Sequence, residues 1–421
     1  MNKLLMLGVA VTATATLSGM ADVAMIEVEG EGAKYWTRWR GPSGQGLVTT
    51  GKYTDKWSPT AGVKWKVPVP GRGHSSPIIW GDHIFLTTAR EDGAKLSMLA
   101  FSRSTGKPLW ETFVPTDSIE HVYPKNSRAS ATAITDGKLV YASFGTHGLA
   151  AFDFKGKLAW QTPVGQLNNY HGSAGSPILY KDRLFIYQDH KGSNTTKPFV
   201  AAYDKATGKQ IWKTDRVEMT GWGTPVVIRA GDHDELIVSS MRKVYGYNPD
   251  NGKELWTVSG LTVEVIPTPV VAGGLVICSS GRQGPTIAIR PGGSGDVTQT
   301  HVAWTSPKGS PFVPSGVVVD GILYTVNDIQ SILTAHDVKT GEVLYQGRLG
   351  EAKKEGFSAS PIAHNGKLFF TNDDGETFVL QAGREFKLLH VNQLGEQTLA
   401  SPALVDGRWY FRTAGHLLAI E

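Results

Sequence analysis

The chain of 421 residues contains one cysteine, Cys278, and this scarcity excludes several kinds of site. No disulfide can form within a single molecule, and nothing supports a metal site built from thiolates. Cys278 ends the apolar run Leu275–Cys278, so we expect a small buried side chain that packs like a hydrophobic residue.

The chain also has little net charge, because 42 Lys and Arg face 38 Asp and Glu, for a balance of +4. The two signs are mixed along the whole sequence. Proteins that bind nucleic acid or anionic membranes usually carry a basic stripe or a basic amphipathic helix. The sequence therefore predicts no nucleic acid partner, and its charge gives no argument for binding to an anionic membrane.

No long stretch has the apolar spacing of an amphipathic helix. Glycine is abundant instead: 49 of the 421 residues are Gly, well above the usual share of about 7%. Short apolar runs alternate with turn residues, and 12 tryptophans are spread among them. This combination is typical of an all-β protein.

The N-terminus resembles a secretory signal peptide. Lys3 supplies a positive charge, Leu4–Leu17 is apolar or small, and Gly19 and Ala21 suit a signal-peptidase site. The apolar run is too short for a good membrane span. We therefore predict that residues 1–21 are removed and that the mature protein is periplasmic or secreted, with no transmembrane segment after cleavage.

Met20 stands where a lipoprotein would carry its lipid-accepting cysteine. The sequence therefore predicts a soluble exported protein rather than a lipoprotein, and an uncleaved N-terminal anchor is the alternative.

Residues 22–62 are predicted to form an N-terminal extension. Its first part, residues 22–33, is rich in Glu and Gly and is expected to be disordered. It continues with the motif Trp39-Arg40-Gly41-Pro42. Val63–Val67 then alternates polar and apolar residues like a strand, although no repeat unit precedes it.

From residue 63 to 421 the chain repeats one unit, clearest between Ser176 and Trp212. That copy has four short apolar runs separated by turns, and its second hairpin contains Gly208, which can adopt positive φ without steric cost. Eight copies follow one another. They open at Ser76-Pro77, Ser130-Ala131-Thr132, Ser176-Pro177, Thr224-Pro225, Thr268-Pro269, Ser315-Gly316, Ser360-Pro361 and Ser401-Pro402.

Six units close with an aromatic residue, at Trp110, Trp160, Trp212, Trp256, Trp304 and Tyr345, and the spare strand carries the equivalent Trp65. The intervals match a propeller blade of four strands, roughly 40–50 residues. The eighth unit ends one strand short, and we predict that Val63–Val67 supplies that strand. The prediction is an eight-bladed β-propeller of four-stranded antiparallel blades, with seven blades as the alternative because two copies are irregular.

The unit endings (Ala/Ser)-Thr-Gly-Lys-x-(Leu/Ile)-Trp resemble the pyrroloquinoline-quinone (PQQ) repeat family. Asp204–Trp212 is a nearly complete example, and Ser104–Trp110 and Asn251–Trp256 are less complete. The Trp-Arg-Gly-Pro motif and the segments Phe357–Pro361 and Ala400–Pro402 are similar to a bacterial exported subgroup called PQQ-like or PQQ-binding-like. The resemblance covers residues 63–421 and implies the propeller fold, whereas the subgroup's name does not imply that each member binds the quinone.

Two functions are implied by this resemblance. Quinoprotein alcohol and glucose dehydrogenases oxidise substrates with PQQ and Ca²⁺, while the outer-membrane β-barrel assembly lipoprotein is a scaffold without cofactor. Many of the alcohol dehydrogenases have an adjacent cysteine pair and long loops over the quinone, but this chain has one cysteine and short loops. The lipoprotein's lipid-bearing cysteine is replaced by Met20. The chain thus departs from both patterns.

Candidate binding residues stand just before the unit openings, where loops enter the central channel of a propeller. Two arginines and two histidines of this set suit an anionic ligand such as PQQ, and a tryptophan suits stacking on a planar ring. The set contains a single acidic residue. One carboxylate makes a poor Ca²⁺ site, because Ca²⁺ takes about six to eight oxygen ligands. The alternative is a group of channel residues satisfied by water and backbone. The set is Arg72, His74, Arg128, His171, Trp222, Glu264, Phe357 and Gln397.

Other motifs carry no chemistry. Asn372–Glu376 resembles part of a Ca²⁺ loop, but its spacing is that of a hairpin turn. Gly292–Gly295 lacks the strand and helix that flank a phosphate loop and is expected to be a flexible insertion. The chain contains no Gly-x-Ser-x-Gly sequence for a serine hydrolase.

The sequence therefore favours an exported scaffold that binds a protein or another cell-envelope partner, without catalytic activity and with no cofactor or metal expected. A PQQ-binding or PQQ-dependent dehydrogenase-like protein that uses the channel, with PQQ and Ca²⁺, is the alternative. Polysaccharide binding through tryptophans at the rim is a third hypothesis. We expect a monomer.

Overall fold

The computed structural model describes residues 23–193, 196–281, 284–351 and 356–421. The predicted signal peptide, residues 1–21, lies outside the described residues. Within those ranges no helix has the length and apolar character needed to cross a bilayer.

Eight sheets, each built on four antiparallel strands, form the blades of a propeller, so the predicted fold class is confirmed. We number the blades 1 to 8 along the chain and give the strands from the channel outwards. Blade 1 consists of Ile78–Trp80, His83–Arg90, Lys95–Ser102 and Pro108–Val114, and blade 2 of Ile134–Thr135, Leu139–Ser143, Leu149–Asp153 and Leu158–Thr162. Blade 3 consists of Ile178–Tyr180, Arg183–Gln188, Phe199–Asp204 and Gln210–Asp215, and blade 4 of Val226–Ala230, His233–Ser239, Lys243–Tyr247 and Glu254–Ser259.

Blades 5 to 8 follow the same plan, and the last of them takes its outer strand from the N-terminal part of the chain. Blade 5 consists of Val270–Ala272, Leu275–Ser279, Thr286–Ile289 and Val302–Ser306, and blade 6 of Val317–Val319, Ile322–Asn327, Ile332–Asp337 and Val343–Arg348. Blade 7 consists of Ile362–His364, Lys367–Thr371, Glu376–Gln381 and Leu388–Gln393, and blade 8 of Ala403–Val405, Arg408–Arg412, His416–Ile420 and Val63–Pro68. Three short strands, Val23–Met25, Leu47–Val48 and Gly295–Asp296, lie outside this plan. Four one-turn helices complete the described elements: Gly30–Lys34, Glu91–Gly93, Gly145–His147 and Thr298–His301.

The outer strand of blade 8 joins the two ends of the chain. Val63–Pro68 pairs antiparallel with His416–Ile420, with Val67 opposite Leu417. The prediction that this spare strand closes the ring is therefore confirmed. Trp65 of the same strand donates from Nε1 to a backbone carbonyl of blade 1, 3.3 Å away, and so ties the closing strand to the next blade.

A closed ring of eight hydrogen bonds joins the inner ends of the blades. The Ser or Thr that opens each blade donates its backbone N–H to the hydroxyl oxygen of the equivalent residue in the next blade, at 2.9 to 3.2 Å. We call these residues the hydroxyl ring. The last bond, from Ser401 to Ser76, links blade 8 to blade 1. The members are Ser76, Thr132, Ser176, Thr224, Thr268, Ser315, Ser360 and Ser401.

Contacts between tryptophan and glycine hold the outer parts of the blades together. Trp160 of blade 2 covers Gly208 of blade 3 and donates from Nε1 to Lys205 O at 3.2 Å. A Cβ at Gly208 would lie 2.5 Å from the Trp160 ring, and its φ is +72°. The same contact recurs between neighbouring blades at Trp65, Trp110, Trp212 and Trp304. The Thr-Gly-Lys and Trp positions of the repeat are therefore the two halves of one inter-blade contact.

The N-terminal extension is ordered from Val23 onwards and crosses one end of the channel. Val23–Met25 pairs antiparallel with Val226–Ala230 of blade 4, and Leu47–Val48 pairs parallel with Ile362–His364 of blade 7. The prediction of disorder for residues 22–33 is wrong from Val23 on. The polar composition suggested disorder, but backbone pairing with a distant blade orders this segment.

Residues 23–48, which we call the plug, also bond to blades 1, 2, 5 and 6. The plug accepts hydrogen bonds from the backbone of Ile79, Thr135 and Val271, at 2.7 to 2.9 Å. Its Arg40 is buried and donates from Nη2 to Gln45 O at 2.7 Å and to Gly316 O. Burial lowers the pKa of Arg40 to about 9. The plug is thus anchored to six blades and closes this end of the channel.

We expect Gly208→Ala to destabilise the protein more than Gly321→Ala. Both glycines have nearly the same positive φ, +72° and +75°, but nothing lies within 4 Å of a Cβ at Gly321. Left-handed backbone costs an alanine about 1–2 kcal/mol at either site, and displacing Trp160 should add about 1–3 kcal/mol for Gly208→Ala. Urea unfolding of both variants measures the difference, and equal losses would show that the tryptophan contact contributes nothing.

Candidate ligand pocket in the central channel

The central channel contains a cavity of about 830 Å³, within the range of about 300–1,000 Å³ usual for small-molecule sites. Trp39 of the plug lines it at the closed end. At the other end lie the loops that join the last strand of one blade to the first strand of the next, which we call the mouth loops. The cavity is therefore a pocket with a floor and one mouth.

Four aromatic side chains from three successive mouth loops line one side of the pocket. The rings of Tyr170 and His171 have centroids 4.0 Å apart, and the His171 ring lies 5.0 Å from Tyr123 and 5.4 Å from Trp222. Trp222 donates from Nε1 to Gly172 O at 2.8 Å, which holds two loops together. Packing of this kind fixes the rings in place, so the pocket presents a preformed aromatic wall.

Glu264 brings a carboxylate to the same wall. Its Oε1 accepts a hydrogen bond from the Tyr170 hydroxyl at 2.7 Å and lies 3.6 Å from His171 Nε2. The backbone at Glu264 has φ +58°, a left-handed conformation that is uncommon for a residue with a side chain. Such backbone strain clusters at functional sites, so it marks this loop as a candidate.

Lys125 is the lysine that lines the pocket in the described part of the chain. Its Nζ lies 2.9 Å from Asp373 Oδ2, just outside the pocket, and Asp373 also accepts a hydrogen bond from Ser358 Oγ at 3.1 Å. Burial raises the pKa of Asp373, while Lys125 opposes that shift. The positive charge of Lys125 is therefore directed at a carboxylate.

His74 lines the pocket beside Lys125 and is uncharged at neutral pH. Burial lowers its pKa to about 3, and the positive charges of Arg412, Arg72 and Lys125 act in the same direction. Its Nδ1 lies 3.5 Å from Ser130 Oγ. His74 therefore adds hydrogen-bonding capacity but no positive charge.

Four residues of the predicted set line this pocket: His74, His171, Trp222 and Glu264. Arg72 lies in an adjacent groove with Gln397, where it donates to Pro124 O. Arg128 bonds to Glu120 O at 2.5 Å and Asp92 O at 2.7 Å, away from the pocket. Phe357 belongs to the apolar core between blades. The structure thus assembles the aromatic and acidic members but leaves both arginines outside, and cofactor binding by these residues stays a prediction.

Sequence reasoning did not assign Trp39, Lys125 or Tyr170 to the pocket. Trp39 belongs to an extension outside the repeat, so no repeat position indicated where its side chain would lie. Tyr170 directly precedes a predicted site residue, and its position in the same loop was a usable signal.

The described lining does not match the chemistry of PQQ with Ca²⁺. A tricarboxylate requires several cations, whereas Lys125 is directed at Asp373 and His74 is neutral. Glu264 and Asp328 contribute carboxylates to the lining. In the ranges that the structure describes, no group of three or more His, Cys, Asp or Glu side chains is arranged to hold a metal ion.

The lowered pKa of His74 makes a specific contribution to acid stability. Below pH 6.5 the unfolded chain protonates this histidine, whereas the folded protein does not until about pH 3, so stability falls as pH falls. We expect His74→Gln to lessen the loss of unfolding free energy between pH 6.5 and 4.5, by up to about 1.4 kcal/mol per pH unit. Urea unfolding across this range measures the effect.

His233→Gln is the control of opposite sign. Asp232, and after it Glu235, raise the pKa of His233, so that histidine stabilises the protein at low pH. Its removal should make the unfolding free energy fall more steeply as pH falls. If His74→Gln also made this fall steeper, a neutral His74 would be contradicted.

The fold and repeat contacts agree with the comparison to known proteins. Residues 23–193 and 196–421 match the family described as outer membrane protein assembly factor BamB. Tetrathionate hydrolase of Acidithiobacillus ferrooxidans is 25% identical over 280 residues, which cover 61% of this chain and 53% of that protein. BamB of Burkholderia pseudomallei is 26% identical over 203 residues, 39% of this chain and 50% of that protein. The match thus spans about half the length of these two relatives.

Two solved structures share the architecture. BamB from Moraxella catarrhalis superimposes with a TM-score of 0.62 over 85% of this chain and 96% of its own, at 12% identity. A europium-containing methanol dehydrogenase superimposes with a TM-score of 0.65 over 91% of this chain and 90% of its own, also at 12% identity. At such identities the likeness concerns the fold alone. The family match over the whole described chain confirms the resemblance seen in the repeats, and the chain belongs to the outer membrane protein assembly factor BamB family of PQQ-type propellers.

Proposed function

We propose that this protein is an exported scaffold that binds a protein partner of the cell envelope through four neighbouring mouth loops and has no catalytic activity of its own. The observation that carries the proposal is a group of large apolar side chains exposed on these loops. We call them the rim residues: Ile119, Tyr123, Tyr170, Val217, Met219 and Val263, between 37% and 86% exposed.

The rim residues come from the loops that lead into blades 2, 3, 4 and 5. These loops contact one another in sequence: Tyr123 N–H donates to His171 O at 3.2 Å, and Trp222 N–H donates to Val265 O at 3.0 Å. Exposed apolar groups on one face of a rigid support are typical of interaction surfaces. The other large exposed apolar side chains of the described chain lie on outer strands or beside them: Leu109, Phe113, Ile211, Phe386, Leu388 and Val391.

The relatives support a partner from envelope assembly. Two of the curated relatives carry the name outer membrane protein assembly factor, and the second, from Yersinia pestis, is 23% identical over 307 residues, 59% of this chain and 74% of that protein. We therefore propose that the partner is a protein engaged in outer membrane protein assembly.

A photo-crosslinking amino acid at Val217, the most exposed rim residue, should give a discrete adduct in cells, and one at Leu109 should give none. Val217 is 86% exposed on a mouth loop, and Leu109 is 46% exposed on the outer strand of blade 1. Immunoblots and mass spectrometry of the adducts identify the partner. Met219→Ser should reduce the Val217 adduct and Ile211→Ser should not. Equal adducts at Val217 and Leu109 would contradict a partner site at the rim.

A quinone-binding propeller remains the second candidate. The aromatic wall with Trp222 and the fold shared with the methanol dehydrogenase favour it. The described lining disfavours a bound quinone because it supplies few cations for the carboxylates of PQQ. Lys125 is directed at Asp373, and both predicted arginines lie outside the pocket.

Thermal melts with and without PQQ and Ca²⁺ separate the two candidates. A ligand at a hundredfold excess over its Kd stabilises the folded state by about 2.7 kcal/mol. We expect no shift in melting temperature, because the described pocket supplies too few cations for a tricarboxylate. A shift that is lost in Trp222→Ala but kept in Phe113→Ala would place the quinone in the channel. That result would favour the quinone-binding propeller over the scaffold.

A further inference from the structure

The hydroxyl ring also provides hydrogen-bond donors to the pocket. Six of its eight members line the cavity, and all of them are at least nine-tenths buried. Each hydroxyl oxygen accepts one bond from a backbone N–H, and no hydroxyl of the ring donates to an acceptor among the described residues. A buried donor without an acceptor is costly, so these O–H groups require water or a ligand. The six are Ser76, Thr132, Ser176, Thr224, Ser360 and Ser401.

The same pocket offers acceptors and flat apolar surfaces. The carboxylates of Glu264 and Asp328 line it, and so does the Asn126 amide. Trp39 lies at the floor and Trp222 in the wall, with Tyr170 beside it. A ligand that fits must therefore accept and donate hydrogen bonds at several points and present an apolar face to an aromatic ring.

Charge narrows the ligand class further. The described lining brings one lysine, Lys125, whose Nζ lies 2.9 Å from Asp373. Ligands with several negative charges would meet Glu264 and Asp328 without a matching set of cations, and burial of unmatched charge is costly. A neutral, polyhydroxylated molecule meets no such penalty, because hydroxyl groups are both donors and acceptors.

We propose that the central pocket binds a short neutral carbohydrate, held by the hydroxyl ring and the Glu264 carboxylate and stacked on Trp222 or Trp39. Tyr123 and Tyr170 belong both to this pocket and to the rim residues, whereas Ile119, Val217, Met219 and Val263 lie outside the pocket lining. The protein would therefore bind a glycan in the channel and a protein partner at the mouth. The closed floor made by the plug requires the sugar to enter through the mouth.

Calorimetric titration of the mature protein with N,N′-diacetylchitobiose, cellobiose and maltose tests the proposal, with tryptophan fluorescence as a second readout. We expect saturable binding of at least one of these sugars. Trp222→Ala should weaken that binding at least tenfold, and Glu264→Gln should weaken it several-fold while the melting temperature stays close to that of the wild type. Phe113→Ala, on the outer strand of blade 1, is the control and should bind like the wild type.

Failure to bind any of the three sugars overturns the proposal, and so does equal affinity in Trp222→Ala, Glu264→Gln and Phe113→Ala. If Trp222→Ala does not fold, Glu264→Gln alone decides. The adduct at Val217 is measured separately, so loss of the carbohydrate proposal leaves the proposed partner site open to its own test.

Discussion

The hydroxyl ring is the constraint on which the rest of this structure depends. A blade buries its faces only against its neighbours, so one open seam would expose two apolar faces to water. Eight hydrogen bonds between equivalent residues leave no such seam, and the bond from Ser401 to Ser76 closes the circle. Arg412 strengthens that junction, because its buried guanidinium donates from Nη1 to Ser75 Oγ at 2.6 Å and to Thr87 O at 2.8 Å.

Ring closure also defines the pocket. Six of the eight residues that join the inner strands also line the channel cavity, so the same side chains close the ring and form the pocket surface. The plug converts the channel into a pocket by bonding across one end, and Trp39 becomes the floor. The mouth loops are then the part of the channel surface that differs from blade to blade, and they bring together Tyr123, Tyr170, His171, Trp222 and Glu264.

A shared fold does not decide between scaffold and enzyme, since one architecture supports unrelated functions through different sites. Here the relatives include assembly factors and a hydrolase, and the structural neighbours include a dehydrogenase. The distinction therefore depends on particular side chains. Exposed apolar residues on four adjacent loops favour a protein partner, and the single described lysine in the pocket disfavours an anionic cofactor.

The sequence by itself determined the propeller of antiparallel blades and the closing strand at Val63–Val67, and it favoured eight blades over seven. It did so because these features arise from local patterns: alternation within strands, Gly at positive-φ turns and an aromatic residue at a fixed period. Only the tertiary structure decided where the mouth residues point. Arg128 turns towards Glu120 and Asp92, His74 loses its charge through burial, and the plug is ordered by blade 4. Each of these outcomes depends on contacts with residues that are distant in sequence or on desolvation, which no local pattern records.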